Sequence, residues 1–276
     1  MSPQLDGGRW AVILCGGRGS RMGALTKHVP KPLIRVQGQP ILWYSFLSLY
    51  RHGIRNFVLP LGYKGAMIRK YIQKTSRDMA CQLHCVETGE DTSIAERLLQ
   101  VAPILPDGTD FLLLNSDTIF DFDLDAMYET HKRTKALVTL SSVEVVSSWG
   151  LILMKDGDVV GFDRERKVYH LVSEHSPGME GVVNSGLAWL NKAALDLVDL
   201  RTCADFETSV YTKAIEIGRV AHFRLEGVWF PIDTPKDLAI VNLATDDRHG
   251  SGHLAKAVKE GLLSVGRQAR QDDQTA

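Results

Sequence analysis

The sequence has almost no net charge. Lys and Arg total 32 and Asp and Glu total 33, so the formal net charge is −1 over 276 residues. A chain without an excess of positive charge lacks the electrostatic field with which proteins hold the phosphates of nucleic acids. We therefore expect no nucleic-acid partner, and we expect any site for a polyanion to be built from a few local residues.

Long apolar runs and cysteines are also scarce. No apolar run approaches the roughly 20 residues that span a bilayer. Residues 1–9 are polar and lack the apolar core of a signal peptide. The four cysteines include the pair Cys81 and Cys85, but no second Cys/His pair completes a zinc site. These features predict no membrane association and a reducing, cytoplasmic setting.

Short apolar runs alternate with helical patterns in the first half of the chain. Hydrophobic residues make up 44% of the sequence, which is enough for a sizeable core. The alternation predicts βαβ units and a mostly parallel sheet flanked by helices, with ligands bound at the carboxyl ends of its strands. Strands are predicted at 10–14, 56–61, 82–86 and 111–115, and helices from Pro40 and over 64–74 and 93–101.

The second half has a different pattern. Strand-like runs at 136–145, 151–155 and 159–162 indicate a small antiparallel extension. A further strand is predicted at 186–190, and helices at 205–217 and 235–243. The predicted fold class is therefore α/β, with a mixed, mostly parallel central sheet.

A glycine-rich turn follows the first predicted strand. Gly16, Gly17 and Gly19 allow the backbone to come close to a bulky ligand, and successive N–H groups in such a turn can bind an anion. Arg21 adds a cation that can hold phosphate oxygens through two hydrogen bonds. The spacing matches neither the dinucleotide fingerprint nor the P-loop, and glycines alone favour a plain strand-to-helix turn. Together with the arginine, the turn favours a triphosphate ligand.

Two further segments contain charged residues that can act on phosphates. Lys31 lies between two prolines, which stiffen the loop and fix the direction of its ammonium group, although a lone lysine is more often a solvated surface residue. Asp117 follows the strand at 111–115, where a carboxylate suits a hard cation; the alternative is a helix or turn cap.

The run from Gly16 to Pro32 resembles the signature of the sugar-1-phosphate nucleotidyltransferases, which is roughly GGxGTRL followed by PKP. Ser20 stands where threonine is usual. The segments 38–44, 52–54, 62–65 and 87–92, with Arg97 after them, are similar to the glucose-1-phosphate cytidylyltransferase branch. That branch usually has two glycines before the arginine, and this chain has Ala95 and Glu96. The resemblance covers about 11–242.

This resemblance implies a Rossmann-like nucleotidyltransferase fold. One domain is expected over 1–250, with a nucleotide half at about 9–135 and a sugar or acceptor half at about 136–245. A C-terminal helix and frayed tail are expected over 251–276. The implied reaction joins a nucleoside triphosphate, with CTP expected, to a sugar 1-phosphate and releases pyrophosphate. The partners are then small-molecule substrates, and a homo-oligomer is left open.

The resemblance also implies roles for individual residues. Arg21 and Lys31 are the expected catalytic residues, and Asp117 and Asp233 the expected Mg²⁺ ligands. The alternative for Asp233 is the N-cap of the helix that opens at Pro235. Both roles can also hold, divided between Asp233 and Thr234. The expected nucleotide-binding residues are Leu14, Gly16, Gly17, Gly19, Ser20, Thr88, Gly89 and Thr92.

The sugar side departs further from the family pattern. Asn184 and Gly186 resemble the sugar-binding turn, but the usual Glu-Lys-Pro before it is missing. Glu165 with Arg166 is the best match for the sugar-phosphate site, and Asp163 with Arg164 is the alternative. Three other functions stay open: a transferase that uses GTP or a heptose, cyclitol or amino-alcohol phosphate, a non-catalytic nucleotide-sugar regulator, and a glycosyltransferase.

Overall fold

A computed structural model describes residues 8–146, 151–155, 157–163, 167–168, 170–172, 180–200 and 205–244. Within these ranges the strands are β1 (Arg9–Leu14), β2 (Arg35–Val36), β3 (Gln39–Pro40), β4 (Ile54–Leu61), β5 (Gln82–Glu87), β6 (Asp110–Asn115), β7 (Thr118–Phe122), β8 (Val138–Val143), β9 (Val145–Val146), β10 (Leu151–Lys155), β11 (Asp158–Asp163), β12 (Lys167–Val168), β13 (His170–Val172), β14 (Glu180–Asn191), β15 (Val220–Arg224) and β16 (Gly227–Pro231). The α-helices are α1 (Ile41–Arg51), α2 (Gly65–Thr75), α3 (Ile94–Val101), α4 (Leu124–Thr134), α5 (Thr212–Glu216) and α6 (Pro235–Ala244).

The central sheet is mixed and mostly parallel. Its strand order is β15-β8-β14-β6-β1-β4-β5, and β13 pairs with β14. The pairs β1–β4, β1–β6, β4–β5 and β15–β8 are parallel, whereas β14 runs antiparallel to β6, β8 and β13. The predicted fold class is therefore confirmed, and one long strand, β14, supplies the antiparallel part of the main sheet.

Alternation along the central strands builds a core on both faces of this sheet. Ile13 packs in one cluster with side chains of α1, such as Phe46, while Val12 packs in the other with Leu98 of α3. Successive side chains of a strand point to opposite faces, so a strand covered on both faces must be apolar at every position. The three consecutive residues Ala11–Ile13 are fully buried, as this argument requires.

Two of the three runs predicted for the antiparallel extension form it: β10 and β11 are an antiparallel pair. The third run, at 136–145, is mainly β8 of the central sheet, where it pairs with β14 and β15. Two further antiparallel pairs, β9 with β12 and β7 with β16, lie outside the central sheet. The sequence patterns missed β7, β15, β16 and α4. Only three side chains of α4 are buried, so its apolar stripe is weak, and Asp123 fixes its start by accepting a hydrogen bond from the Ala126 N–H. The predicted tail at 251–276 lies outside the described residues.

Two of the predicted helices differ in detail from those in the structure. The helix predicted at 205–217 is divided into a π-helical turn at Glu207–Tyr211 and α5. The helix from Pro40 begins at Ile41 and ends at Arg51. Among the described helices, none combines the length and the apolarity that crossing a bilayer requires.

Candidate active site

A cleft of about 420 Å³ opens at the carboxyl ends of the central parallel strands. Its lining comes from the glycine-rich turn after β1, from Lys31 and Pro32, from the segment 90–97 after β5, and from residues 115–117 after β6. Parallel strands end at the same edge of a sheet, which brings these distant segments together. The cleft therefore lies where the parallel pattern predicts a ligand site.

Two glycines of the turn after β1 lie in close contact with other side chains. A Cβ on Gly16 would lie 2.1 Å from Nη1 of Arg97, so the guanidinium would have to move to admit a larger residue. Gly19 has a left-handed φ of +62°, and its Cβ would lie 2.9 Å from the Cβ of Lys31. Gly17 has open space around its Cβ position. Packing against Arg97 thus favours glycine at position 16, the left-handed backbone favours it at position 19, and Gly17 has no such contact.

Lys31 joins the two carboxylates that the sequence singled out. Its side chain is only 9% exposed, and its Nζ donates to Oδ2 of Asp117 at 2.6 Å and to Oδ1 of Asp233 at 2.7 Å. Arg21 reaches the second oxygen of Asp233, with Nη1 3.0 Å from Oδ2, and is itself 70% exposed. Two cations and two carboxylates form one cluster, which we call the acidic end of the cleft.

The pairing of β7 with β16 brings Asp233 to Asp117. The Ile232 N–H donates to the backbone oxygen of Asp117 at 2.9 Å. The helix cap that follows is made by Thr234: its Oγ1 accepts from the Asp237 N–H, and its own N–H donates to the carboxylate of Asp237. Asp233 takes part in this cap only through its backbone N–H, so its carboxylate is left for the cleft.

The acidic end fits a divalent cation. Two carboxylate oxygens from different loops, one between β6 and β7 and one after β16, converge on the ammonium of Lys31. Mg²⁺ is usually bound by one or two carboxylates together with water and substrate phosphates. The described residues contain no group of three or more His, Cys, Asp or Glu side chains that could hold a metal. A cation bound to Asp117 and Asp233 would thus depend on a ligand for its remaining donors.

Thr88 lies beneath the opposite wall of the cleft. It is buried, its Oγ1 donates to the Leu61 oxygen at 2.8 Å, and the same Oγ1 accepts from Arg97. Gly89 has a positive φ of +94°, and Thr92 lines the cleft. The structure therefore places Thr92 where a nucleotide could contact it directly, whereas the Thr88 side chain supports the wall from below.

The sequence prediction of site residues did not include a set of charged residues on this wall. Arg97, Glu90 and Asp91 line the cleft, and Arg18 pairs with both acids at 3.0 Å. Arg97 is 4% exposed and lies beside Leu98 on the buried face of α3. A charged residue on the apolar face of a helix was the available signal for Arg97. We call this region the arginine end of the cleft.

Gly186 of the predicted sugar turn lies close to the cleft, and Asn184 supports it. Gly186 has a φ of +78°, and a Cβ there would lie 3.4 Å from Nδ2 of Asn115, a residue of the cleft lining. The Asn184 side chain accepts from the Gly186 N–H at 3.1 Å and so shapes this bulge in β14. Glu165, Arg166 and Arg164 lie outside the described residues, and of Asp163 only the backbone, at the end of β11, is described.

Most of the predicted residues meet in one place. The cleft lining contains Leu14, Gly16, Gly17, Gly19, Ser20, Arg21, Lys31, Thr92 and Asp117, and Asp233 touches it through Lys31 and Arg21. These residues span more than two hundred positions of the chain.

Comparison with known proteins identifies the family of this chain. A family model described as "Nucleotidyl transferase" matches residues 10–248. A probable glucose-1-phosphate cytidylyltransferase of Bacillus subtilis is 30% identical over 251 residues, which is 84% of this chain and 94% of that protein. A mannose-1-phosphate guanylyltransferase catalytic subunit beta of Xenopus tropicalis is 28% identical over 82% of this chain and 62% of its own length.

A solved structure shares the fold. A putative glucose-1-phosphate thymidylyltransferase from Bacillus anthracis superposes with a TM-score of 0.64 over 86% of this chain and 96% of that chain, at 15% identity. At that identity the likeness concerns the fold alone. The family match covers most of the sequence and the cytidylyltransferase relative is matched over nearly its whole length, and the chain therefore belongs to the sugar-1-phosphate nucleotidyltransferases.

Proposed function

We propose that this enzyme transfers the cytidylyl group of CTP to a sugar 1-phosphate, and that Mg²⁺ is bound by Asp117 and Asp233. The observation that carries the proposal is the convergence of Lys31, Arg21 and both carboxylates at one end of a cleft whose floor is the glycine-rich turn. Attack on a triphosphate requires cations and metal ligands that face a common cleft, because they position the phosphates and neutralise their charge.

The proposed reaction forms one P–O bond and breaks another. An oxygen of the sugar phosphate attacks the α-phosphorus of CTP, and the bond from that phosphorus to the bridging oxygen breaks, with its electron pair, to release pyrophosphate. The attacking oxygen is already ionised, so no general base is needed. Catalysis then consists of positioning and of neutralising charge on the leaving group.

Each cation at the acidic end has a task in this reaction. Arg21 is exposed at the mouth of the cleft, so its guanidinium can hold the β- and γ-phosphates through two hydrogen bonds. Lys31 is buried on a loop stiffened by proline, so its ammonium can stay beside the α-phosphate. A bound Mg²⁺ would supply charge neutralisation at the phosphates.

On the sugar side, we propose that Asn184 and Gly186 bind the sugar and that Arg166, with Glu165, anchors its phosphate. The closeness of Gly186 to Asn115 supports a sugar position next to the α-phosphate. Asp163 and Arg164 are the alternative pair for the same role. Substitution of each pair in turn distinguishes the two, since only the pair that anchors the sugar phosphate should raise the KM for that substrate when it is replaced.

The preference for CTP is supported by the acids at the arginine end. Glu90 and Asp91 line the cleft, and a carboxylate accepts hydrogen bonds at up to four positions, so each can bond both Arg18 and a base. Cytosine offers an exocyclic amine, and uracil and thymine do not. An unpaired polar group costs about 1–3 kcal/mol when it is buried. Because the side chains of Glu90 and Asp91 are 50% and 83% exposed, we expect the lower end of this range, about 1 kcal/mol, or roughly fivefold discrimination.

GTP is the second candidate, because guanine also has an exocyclic amine and the guanylyltransferase of Xenopus tropicalis is 28% identical to this chain. A regulator without turnover is disfavoured, since the chain retains Arg21, Lys31, Asp117 and Asp233 in contact with one another. A glycosyltransferase is disfavoured by the arginine-bearing glycine turn, which suits a free triphosphate.

A panel of nucleotides tests the proposal. CTP, UTP, dTTP, ATP and GTP are each incubated with glucose 1-phosphate, mannose 1-phosphate and a heptose 1-phosphate, and pyrophosphate release is measured. We expect the fastest release with CTP. Faster turnover of GTP would overturn the cytidylyl assignment and keep the nucleotidyltransferase assignment. A mixture of all five nucleotides at equal concentration, analysed by its products, gives the same comparison under competition.

A further inference from the structure

The guanidinium of Arg97 lies directly under the glycine-rich turn. Arg97 belongs to α3, whose first turn is held by a reciprocal cap: the Ser93 side chain accepts from the Glu96 N–H, and the Glu96 carboxylate accepts from the Ser93 N–H. Glu96 itself is exposed, and Leu98 packs in the core. A capped helix anchored on the sheet thus fixes the position from which the Arg97 side chain extends.

This guanidinium joins three separate segments of the chain. Its Nη1 donates to the Leu61 oxygen at 3.3 Å and to Oγ1 of Thr88 at 2.5 Å. Its Nη2 donates to the oxygens of Gly16 and Glu90, each at 3.2 Å. These acceptors follow β1, end β4 and follow β5. Four donors of one planar group therefore hold the glycine-rich turn against the opposite wall of the cleft.

Two glycines make room for this arrangement. A Cβ on Gly16 would lie 2.1 Å from Nη1 of Arg97, and a Cβ on Gly62 would lie 2.8 Å from the same atom. Gly62 is also restricted by the backbone, since its Cβ would lie 2.5 Å from the Gly16 oxygen. The glycine at position 16 is therefore explained by the approach of Arg97 from below, in addition to any ligand above.

The charge of Arg97 is not neutralised by an ion pair. In the part of the chain that the structure describes, no carboxylate lies within 4.0 Å of its nitrogens, whereas Arg18, Arg21 and Lys31 each pair with an acid. Burial lowers the pKa of Arg97, with the charges of Asp91 and Glu96 acting in the opposite direction. Arginine stays protonated in proteins, so a positive charge held only by neutral groups lies at the floor of the cleft.

We propose that Arg97 is the positioning residue of the nucleotide site: it holds the glycine-rich turn in register with residues 88–90, and its unpaired charge attracts the polyanionic nucleotide. This inference rests on the proposed function for the identity of the ligand, a nucleoside triphosphate. A lysine at this position keeps the charge but cannot reach acceptors on both sides with a planar fork, and glutamine keeps amide donors but loses the charge.

Two variants separate the two parts of the proposal. Nucleotide affinity is measured by calorimetry with CTP and with GTP, and hydrogen exchange is measured at the amides of residues 15–21 and 88–92. We expect Arg97→Lys and Arg97→Gln each to weaken affinity by about tenfold or more and to speed exchange in both segments. The nucleotide KM should rise more than kcat falls. Arg97→Gln alone should also reduce the dependence of affinity on salt.

A matched arginine outside the cleft is the control. Arg69 donates to the Cys85 oxygen at 3.0 Å and pairs with Glu87 at 2.8 Å, so it too supports a strand through a carbonyl. Arg69→Lys should leave nucleotide affinity and exchange at 15–21 unchanged. Folded Arg97 variants that bind nucleotide within twofold of the wild type, with unchanged exchange at 15–21, would overturn the proposal.

Gly16→Ala tests the same contact without altering Arg97. It should reduce nucleotide affinity in the wild-type background and add little in the Arg97→Gln background, because the clash involves the guanidinium. Wild-type nucleotide affinity in folded Gly16→Ala would overturn the proposal even if the Arg97 variants fail to fold. The proposal would also be overturned if the losses of binding free energy from Gly16→Ala and Arg97→Gln simply add in the double variant. The role of Arg97 is tested by nucleotide binding and hydrogen exchange, and neither measurement requires turnover. If the wild-type enzyme releases no pyrophosphate, the proposed function is refuted, and the binding and exchange data still test the role of Arg97.

Discussion

The two ends of the cleft hold their cations in opposite ways. At the acidic end, Lys31 lies 2.6 and 2.7 Å from oxygens of Asp117 and Asp233, so its charge is matched by carboxylates. At the arginine end, Arg97 is bonded to three backbone oxygens and one hydroxyl, all uncharged. Lys31 and Arg97 are buried to a similar degree. They differ in their partners, which are charged carboxylates for Lys31 and neutral oxygens for Arg97.

This difference predicts opposite behaviour toward ligands. A cation can enter the acidic end only by exchange with an ammonium that already satisfies both carboxylates. An anion can approach the arginine end without displacing any ion pair of Arg97, because backbone dipoles hold that guanidinium in place. The acidic end is thus arranged for exchange of one cation for another, and the arginine end for attraction of an anion. Substitutions at the acidic end should therefore change metal affinity and turnover, and substitutions at the arginine end should change nucleotide affinity.

The largest effect is expected when the carboxylates of the acidic end are removed. Asp117→Asn and Asp233→Asn should each lower kcat by about 10²- to 10⁴-fold and raise the Mg²⁺ concentration needed, since loss of a metal ligand costs about 3–5 kcal/mol of barrier. Pyrophosphate release over a Mg²⁺ titration measures both changes. Asp123→Asn is the control, because it changes an acid that only caps α4. Unchanged activity in excess chelator would contradict the metal assignment.

Removal of Arg21 should have the next largest effect. Arg21→Ala should reduce turnover by about 10²- to 10³-fold, because the charge that stabilises the leaving pyrophosphate is lost. The side chain is 70% exposed, so the melting temperature should stay within the error of the wild-type value. Arg21→Lys should give an intermediate rate, since it keeps the charge without the two-pronged geometry. Wild-type turnover by folded Arg21→Ala would exclude Arg21 from the mechanism.

Replacement of Lys31 should change the metal affinity of the acidic end. Lys31→Met should tighten the binding of Mn²⁺ in the absence of nucleotide by about tenfold, because the competing ammonium is removed from the two carboxylates. Turnover should fall at the same time. Mn²⁺ titration followed by electron paramagnetic resonance measures the affinity. Lys192→Met, which breaks a lysine–carboxylate pair with Asp107 outside the cleft, should change neither quantity. Weaker Mn²⁺ binding by Lys31→Met would refute the idea that the metal ion competes with the Lys31 ammonium for the two carboxylates.

The smallest effect is expected at the mouth of the arginine end. Arg18 pairs with Glu90 and Asp91, but it is 51% exposed, and exposed ion pairs contribute about 0–1 kcal/mol. Arg18→Ala should therefore change nucleotide affinity by no more than about threefold, and less at high salt. A loss of tenfold or more would mean that the segment 88–92 depends on Arg18 as much as on Arg97.

Much of the structure of residues 9–135 could be predicted from local patterns. Apolar runs bounded by turns identified β1, β4, β5 and β6 to within two residues at each end. β1, β4 and β6 lie inside the sheet and are covered on both faces, which gives the continuous apolar run, whereas β5 is a partly exposed edge strand. Motif spacing then predicted the glycine-rich turn and Lys31 as parts of one site. The pairing of β7 with β16 was not predicted, since it joins segments more than a hundred residues apart and leaves no local periodicity.

The sequence by itself determined the residue types of this enzyme and the order of its elements. The glycines after β1, the two acids and the proline-flanked lysine are local features, and local spacing is enough to read them. Only the tertiary structure decided that Asp117 and Asp233 share Lys31, that Thr234 rather than Asp233 caps α6, and that Arg97 lies under Gly16. The physical reason is that these contacts depend on strand order and on close backbone approach, which pattern along the chain does not encode.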